Sequence, residues 1–541
     1  MTEHNSTPKD DQYVNLVVDD VSISVEKGTT ILEAAKQAGT EVPHYCYHAG
    51  LSSPAQCRLC LVEVEGAPKL MPSCTTVVTE GQVVRTDSDV ATKMRQGVLE
   101  FYLVNHPLDC PICDQSGECD LQDFVFSEGR KHGRSRAAKR VLGRDDFGGD
   151  VLFYGDRCVM CTRCVRFMEE VEEKPLLSVV ERGNRSVIDT FFDQGLGDAE
   201  WAGNIVDICP VGALVSKDFL YKARAWDLEH TPSICPNCSM GCNIDIHTRD
   251  NVVQRFKPRE NKDVNGHWMC DYGRSRYEWL NEGKRIEEPL STTSDGGLQT
   301  SLNWEEALIG LGEKLKSSGG RLKVIASPLS SNEDVGATVR LIQALGGGEI
   351  VFRSATTSKE VPLPGFKGLK RTKYLAPNIE GLKVLGAKYV GDEKGSGGLQ
   401  AISQHTEIVL VMGDRLEDQT EKFGSEAELL IYLGSHFSEA LQEADFIFPI
   451  NTFAETSGTF TNCDRRVQKF SGSLEGPCEA RPAWSVLNDL VSIITGSESS
   501  QNVADAFNQL SGTSEVFAGT SYSDLMPQGF KLKHDPQMTR D

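Results

Sequence analysis

The chain has 541 residues, a formal net charge of −22 and 17 cysteines. That length implies about three to five domains, each able to bury its own core. The acidic balance argues for solubility and against a nucleic-acid partner, whose footprint is basic. No stretch approaches the roughly 18 apolar residues of a membrane helix, so any membrane link runs through partners.

The start, MTEHNSTPKDDQ, shows no apolar h-region and no Arg-rich amphipathic pattern; the expectation is a mature chain beginning there, with a disordered tip over residues 1–11. Residues 13–28, YVNLVVDDVSISVEKG, alternate apolar and polar on both sides of Asp19-Asp20 and read as a β-hairpin. TILEAAKQAG follows as a helix, with Thr30 as N-cap, Glu33 completing a capping box and Gly39 as the stop. Hairpin, helix and cysteine-bearing loop together predict a β-grasp, ferredoxin-like module over 12–92. VATKMRQGVLEFYLVNH predicts an amphipathic helix with Val90, Met94, Val98, Leu99 and Tyr102 on one face and His106 at its end.

Next comes the one basic island, Gly129–Arg140, which reads as a solvated linker or a docking segment. Residues 140–230 mix short helices and loops, and 231–275 have a compact β-rich pattern. Beyond about residue 286 the texture becomes α/β. NWEEALIGLGEKLKS is a helix capped by Asn303, and LKVIASPLS, TEIVLVMGD and EADFIFPI are buried strands. The Gly/Lys-rich segment 365–398 and the polar C-terminus after Gly496 read as irregular.

In a chain without an export signal, 17 cysteines read as metal ligands rather than disulfides. Cys46, Cys57, Cys60 and Cys74 suit a [2Fe–2S] rhombus, with Cys57 and Cys60 biting one iron and the flanking thiols the other. Arg58, between them, offers backbone or charge stabilisation or is a plain surface arginine. Cys158, Cys161, Cys164 and the remote Cys-Pro at Cys209 supply four corners of a cubane. Cys235, Cys238, Cys242 and Cys270 supply four more. There a structural zinc is the competing reading, but zinc sites usually pair two C-x2-C knuckles, whereas here three ligands share one loop. Cys110, Cys113 and Cys119 form the only group of three. A lone histidine is more often structural than a ligand, yet His106 stands where the fourth cysteine is missing, and counting assigns it to the group. Cys463 and Cys478 are left over and read as ordinary thiols.

Four groups in this order, carried by VPHYCYHAGL, CRLCLVEVEG, PSCTTVV, HPLDCPICDQSGECDLQD, CVMCTRCVRF, GNIVDICPVGAL and SICPNCSMGCN, closely resemble the large iron–sulfur subunits of bacterial NADH–quinone oxidoreductase, respiratory complex I. The resemblance covers about residues 12–280. It implies one [2Fe–2S] cluster, one [4Fe–4S] cluster held by one histidine and three cysteines, and two all-cysteine [4Fe–4S] clusters, that at Cys235 off the main electron path. After residue 280, VLVMGD and FPINTFAETSGTFTNCDRRVQ are weakly similar to molybdopterin oxidoreductases. Because 271–462 hold no cysteine and the domain is short, it reads as a degenerate structural scaffold with no molybdenum cofactor expected.

The fold class that follows is multidomain α+β: a β-grasp [2Fe–2S] domain (12–92), [4Fe–4S] modules (93–134, 135–230 and 231–285), a shortened α/β molybdopterin-oxidoreductase-like domain (286–495) and a polar tail (496–541). No G-x-G-x-x-G follows a strand and no nucleophile–base constellation is present, so no catalytic residue is assigned. The family's role is one-electron relay. Electrons from NADH come through an FMN-bearing partner, pass the [2Fe–2S], Cys158 and His106 sites, and leave toward quinone. The implied partners are the FMN/NADH-binding subunit, the small [2Fe–2S] subunit, the two-cluster ferredoxin-type subunit and the quinone-site subunit, at the cytoplasmic face of the bacterial inner membrane. The rival reading is the electron-transfer subunit of an NAD-linked hydrogenase or formate dehydrogenase.

Overall fold

The computed structural model describes residues 12–190, 193–292, 300–318, 322–390, 408–414, 427–437, 444–477 and 479–532. It divides into two compact units, Met1–Asp227 with Pro364–Phe366, and Leu228–Leu363 with Lys367–Asp541. Among the described residues no helix is long and apolar enough to cross a membrane.

The first unit opens with the expected hairpin, β1 (Tyr13–Val18) and β2 (Val21–Glu26). Asp19 and Asp20 both take positive φ, 46° and 73°, the type I′ geometry whose twist matches paired strands. Helix α1 (Ile31–Gln37) starts at Thr30, whose hydroxyl accepts from the Glu33 amide, and buries Ile31, Leu32, Ala34 and Ala35. Strands β3 (Leu61–Val64), β4 (Met71–Pro72) and β5 (Gln82–Arg85) complete a sheet of order β2-β1-β5-β3-β4. Only β1 and β5 pair in parallel. The cysteine loop leaves this sheet between α1 and β3.

Helix α2 (Asp89–Asn105) delivers His106 as its C-cap, but of the predicted apolar face only Leu99 is buried, with Val98 and Tyr102 half-buried. Val90 and Met94 are exposed, at 58 % and 44 %, while Ala91, Arg95 and Leu99 are buried. The pattern misleads because a charged residue is excluded from a core only when unpaired. Arg95 gives Nε to Glu128 at 2.8 Å and Nη1 to the Thr86 carbonyl at 2.7 Å. Glu128 ends α3 (Asp120–Glu128), so this buried pair ties α3 to α2. The rest of the unit contains a three-stranded sheet, Arg144–Gly148, Val151–Tyr154 and Leu214–Ser216, beside which Cys158, Cys161, Cys164 and Cys209 are arranged.

The second unit starts with the antiparallel strands Glu229–Ile234, Asn243–Arg249 and Val252–Pro258. Its main sheet has eight strands. The core strands Leu322–Ala326, Gly348–Phe352, Ile408–Met412, Leu429–Gly434 and Phe446–Pro449 run parallel. They are near-continuous apolar runs, as a sheet buried on both faces requires. Helices Trp304–Ser318, Asn332–Ala344 and Ala483–Thr495 bury apolar residues in the same core.

Two segments expected to be irregular are in part regular. Segment 365–390 contains the helix Ile379–Val384 and an edge strand, Lys388–Tyr389; its remainder, 391–398, lies outside the described residues. The C-terminal segment contains the helix Val503–Thr513, capped by Asn502 and burying Ala506, Phe507 and Leu510. Both helices are short with weak patterns, so tertiary burial, not propensity, forms them.

Helix Asn332–Ala344 is fastened to strand Gly458–Thr461 through Glu333, whose carboxylate accepts from the Thr459 amide and hydroxyl, both at 2.9 Å. Burial pushes its pKa up to about 7. An acid whose folded pKa is raised holds its proton longer in the native state. Stability is therefore fully present below the unfolded pKa, near 4.5, and is lost as pH rises through about 7. The shift corresponds to roughly 3 kcal/mol. Urea midpoints of wild type and Glu333→Gln, compared from pH 4.5 to 7.5, should diverge with rising pH, the wild type losing stability relative to the variant. Parallel pH profiles would overturn this assignment.

Candidate metal centres

The first cysteine group sits in a loop wound by two left-handed residues, Ala55 and Arg58, with φ of 52° and 56°. Arg58 is exposed, so it contributes backbone curvature. Cys46, Cys57, Cys60 and Cys74 are all buried, and their thiols touch in series. Cys57 interacts with Cys46 and with Cys60, and Cys60 with Cys74. Those interactions pull Cys57 far below the usual thiol range and Cys74 down to about 6, while Cys46 and Cys60 are driven up. The loop closes on itself where the Ser73 hydroxyl and amide both donate to the Cys60 carbonyl, at 2.8 and 3.1 Å.

The second group gathers where α2 ends and α3 begins. Cys110, Cys113 and Cys119 lie close enough to act on one another electrostatically, Cys113 on Cys119 and Cys110 on Cys113. Burial lifts Cys119 to about 11. His106 shares a neighbour with Cys113, the buried Arg157, whose charge acts on both. The Arg157 backbone acts on one edge of the imidazole, and burial, then the Arg157 and Lys139 charges, lower the ring to about 4. The ring is therefore neutral at physiological pH, and its Nδ1 is buried without a hydrogen-bond partner. A neutral imidazole with a buried, free nitrogen is able to serve as a metal ligand.

The basic island holds this helix end in place. Lys139 Nζ donates to the Leu103 and Val104 carbonyls at 2.6 and 3.2 Å, and Arg134 is paired with Glu100 at 2.6 Å. Several of its charges are thus spent on α2 itself.

The third group lines one cavity: Cys158, Cys161, Cys164 and Cys209 face it together with Phe153, Val159 and Val211. Met160 and Thr162, both left-handed at 52° and 59°, wind the chain between the first three thiols. Burial raises all four, Cys158 and Cys209 to about 12. Such thiols stay protonated until a metal displaces the proton.

Two arginines, unassigned from the motif CVMCTRCVRF, bind the first and third groups together. Arg166 donates to the Cys46 carbonyl at 2.5 Å, to Cys161 at 3.3 Å and also to Ser52. Arg163 spans the Tyr47 carbonyl at 2.6 Å and Ile208 at 3.0 Å. Gln56 reaches Met160 and Thr162 at 3.0 and 2.9 Å. The third group also meets the second: the Asp120 amide donates to the Pro210 carbonyl at 3.0 Å, and Gly212 lies directly against the Cys113 sulfur.

In the second unit, the Cys235 amide donates to the Cys242 carbonyl at 2.8 Å. Cys270 caps a short helix by accepting the Gly273 amide at 3.3 Å. A Cβ on Gly273 would stand 3.0 Å from the Cys235 sulfur and 3.5 Å from that of Cys270, so those two sulfurs flank it. Cys238 acts on Cys235, Cys242 and Cys270 alike, and burial raises those three. Cys463, left over by counting, donates its amide to the Ser239 carbonyl at 2.7 Å and is a neighbour of Cys238 and Cys242. Cys478 lies outside the described residues.

Among the described residues no three of His, Cys, Asp and Glu are placed to hold a single metal ion. Four thiolates on one zinc stand about 4 Å apart, whereas a cubane seats each on its own iron and spaces them more widely. Cys110 is exposed and Cys158 half-buried, while the other ligand thiols are buried; together with the free imidazole nitrogen they fit iron–sulfur clusters as a donor set.

The sheet of the second unit reverses strand order between Leu322–Ala326 and Ile408–Met412, the position where α/β sheets bind ligands. A cavity there, between Ser330, Ser331, Gly413, Asp414 and Phe453, has about 30 Å³ of space. That is room for a water or two. Asp414 accepts from the Ser435 amide and hydroxyl at 3.0 and 2.7 Å, so its polar reach is spent locally.

Five family models match the chain in order. They are the 2Fe-2S iron-sulfur cluster binding domain (11–89), the NADH-ubiquinone oxidoreductase-G iron-sulfur binding region (95–134) and the ferredoxin-like domain of NADH-quinone oxidoreductase subunit 3 (148–215). The molybdopterin oxidoreductase Fe4S4 domain (228–282) and molybdopterin oxidoreductase (381–493) follow. The G subunit of NADH-quinone oxidoreductase from Rickettsia bellii is 40 % identical over 335 residues, covering 62 % of this chain and 48 % of that one. The NADH-ubiquinone oxidoreductase 75 kDa subunit of Reclinomonas americana is 41 % identical over 345 residues, 63 % and 49 % of the two chains. A chain of an NAD+-reducing [NiFe]-hydrogenase structure is 31 % identical, covering 39 % of this chain and 90 % of that one, with a TM-score of 0.36. The chain spans about half the length of the curated relatives it matches.

Proposed function

We propose that this chain, 62 % of which is 40 % identical to the G subunit of NADH-quinone oxidoreductase from Rickettsia bellii, is an electron-transfer subunit of such a complex. It would pass single electrons from an FMN-bearing partner toward quinone, without a substrate-converting site of its own. The observation that carries this reading is His106: a neutral imidazole with a buried, unpartnered Nδ1, set at the end of α2 beside three cysteines. A histidine kept only for packing would have satisfied both nitrogens.

The ligand sets are Cys46, Cys57, Cys60 and Cys74 for a [2Fe–2S] cluster, and for three [4Fe–4S] clusters His106 with Cys110, Cys113 and Cys119, Cys158 with Cys161, Cys164 and Cys209, and Cys235 with Cys238, Cys242 and Cys270. Clusters of this kind supply outer-sphere one-electron chemistry when bound. The series of interactions Cys46–Cys57–Cys60–Cys74 is compatible with Cys57 and Cys60 on one iron and the flanking thiols on the other. The chain's own work is to bury the thiols, keep the imidazole neutral, and set the guanidinium groups of Arg163 and Arg166 beside two anionic sites, which eases the arrival of an electron. The FMN/NADH-binding, small [2Fe–2S], two-cluster ferredoxin-type and quinone-site subunits are the partners this reading names, with peripheral attachment at the cytoplasmic face of a bacterial membrane.

Iron and labile sulfide per purified chain, with EPR of the reduced protein, test this directly. One [2Fe–2S] and three [4Fe–4S] clusters predict about 14 irons. A total near 10 would remove the Cys235 cluster, and zinc in place of iron would overturn the reading.

A further inference from the structure

The phenol of Tyr45 has no use in the sites described above. The side chain is fully buried, at 0 % exposure. Its ring stands edge-on to Tyr102, with centroids 5.1 Å apart, and tilted against Phe124 at 5.8 Å. Tyr102 lies one turn before His106 on α2, and Phe124 lies on α3, just beyond Cys119. Tyr45 is therefore wedged between the two helices whose ends carry ligands of the His106 group.

Its Oη is buried and has no hydrogen-bond partner among the described residues. The neighbouring Tyr102 hydroxyl, by contrast, donates to the Cys57 carbonyl at 3.2 Å. A buried hydroxyl is almost always satisfied, and an orphan points to a partner beyond the protein atoms. Among the cysteine sulfurs, that of Cys119 acts on it most strongly, ahead of that of Cys57.

Resting on the reading of His106, Cys110, Cys113 and Cys119 as cluster ligands, we infer that the Tyr45 hydroxyl donates a hydrogen bond to a sulfur of that cluster and sets its potential. A proton shared with a cluster sulfur draws off negative charge, stabilises the reduced state more than the oxidised, and raises the midpoint. Phenylalanine would fill the same space and leave the sulfur without the donor.

The test is Tyr45→Phe in the full chain with its clusters in place. Iron and sulfide content should be unchanged, and an EPR redox titration should show the His106 cluster moved to lower potential with the [2Fe–2S] midpoint unmoved. In deuterated water, the wild-type signal of that cluster should carry an exchangeable deuteron coupling that the variant lacks. An unmoved potential, a shift confined to the [2Fe–2S] cluster, or an identical deuteron coupling in both proteins overturns the inference. So does loss of the iron, since this bond tunes a bound cluster and does not hold it. Failure of the functional reading looks different: the wild type itself would lack the iron of the His106 group.

Discussion

Gly212→Ala is expected to cost the chain one cubane, taking iron from about 14 to about 10 per chain, with loss of the EPR signal of the His106 cluster and retention of the others. Gly212 follows Cys209-Pro210 in the third group, yet a Cβ on it would overlap the Cys113 sulfur of the second and come within 3.1 Å of the Gln115 Cβ. A free thiol could swing aside, but a thiol held on iron cannot. The methyl must therefore either expel Cys113 from the cluster or force the two loops apart, and overpacking of this kind costs about 1–3 kcal/mol in any case. The loops are pinned against separation by the Asp120–Pro210 backbone bond and by Arg224, which donates to the Cys113 carbonyl at 2.8 Å. Full iron content with an unchanged signal would show that Cys113 is not on the metal.

Arg166→Ala is expected to destabilise the first unit by at least about 4.5 kcal/mol, since one substitution strands three backbone carbonyls, and each bond to a charged donor is worth about 1.5–3 kcal/mol. The carbonyls belong to Cys46 and Ser52 on one cysteine loop and Cys161 on the other. Because the guanidinium also places a positive charge between the two sites, the variant should show lower midpoints for both the [2Fe–2S] and the Cys158 cluster, with that of the Cys235 cluster unmoved. Arg166→Lys should recover part of the charge effect but little of the stability, because one ammonium cannot reproduce a fork that serves three carbonyls. Thermal melting with paired redox titrations measures both. Unmoved potentials at both sites would confine Arg166 to a structural role.

Much of the local architecture was legible from spacing. The Asp19-Asp20 hairpin, the Thr30 cap and the apolar strands Leu322–Ala326, Ile408–Met412 and Phe446–Pro449 stand where periodicity put them. These are short-range effects, decided by a few neighbouring residues. The inward face of α2 was legible only in part, because Arg95 becomes a core residue only through Glu128, 33 positions away. Nor were the helices Ile379–Val384 and Val503–Thr513, whose formation depends on surfaces the local sequence does not contain.

The same division runs through the site. Sequence alone named the cysteine groups expected to hold metal, since cysteines at intervals of two or three residues are placed near one another by the reach of the backbone, and counting added His106 to one of them. Only the tertiary structure decided how those groups are joined. Arg166 across two loops, Gly212 under the Cys113 sulfur, the Arg157 backbone on the imidazole and the orphaned Tyr45 hydroxyl all arise between residues 45 to 120 positions apart in the chain. Their relation is set by how helices and loops pack, and no local pattern encodes it.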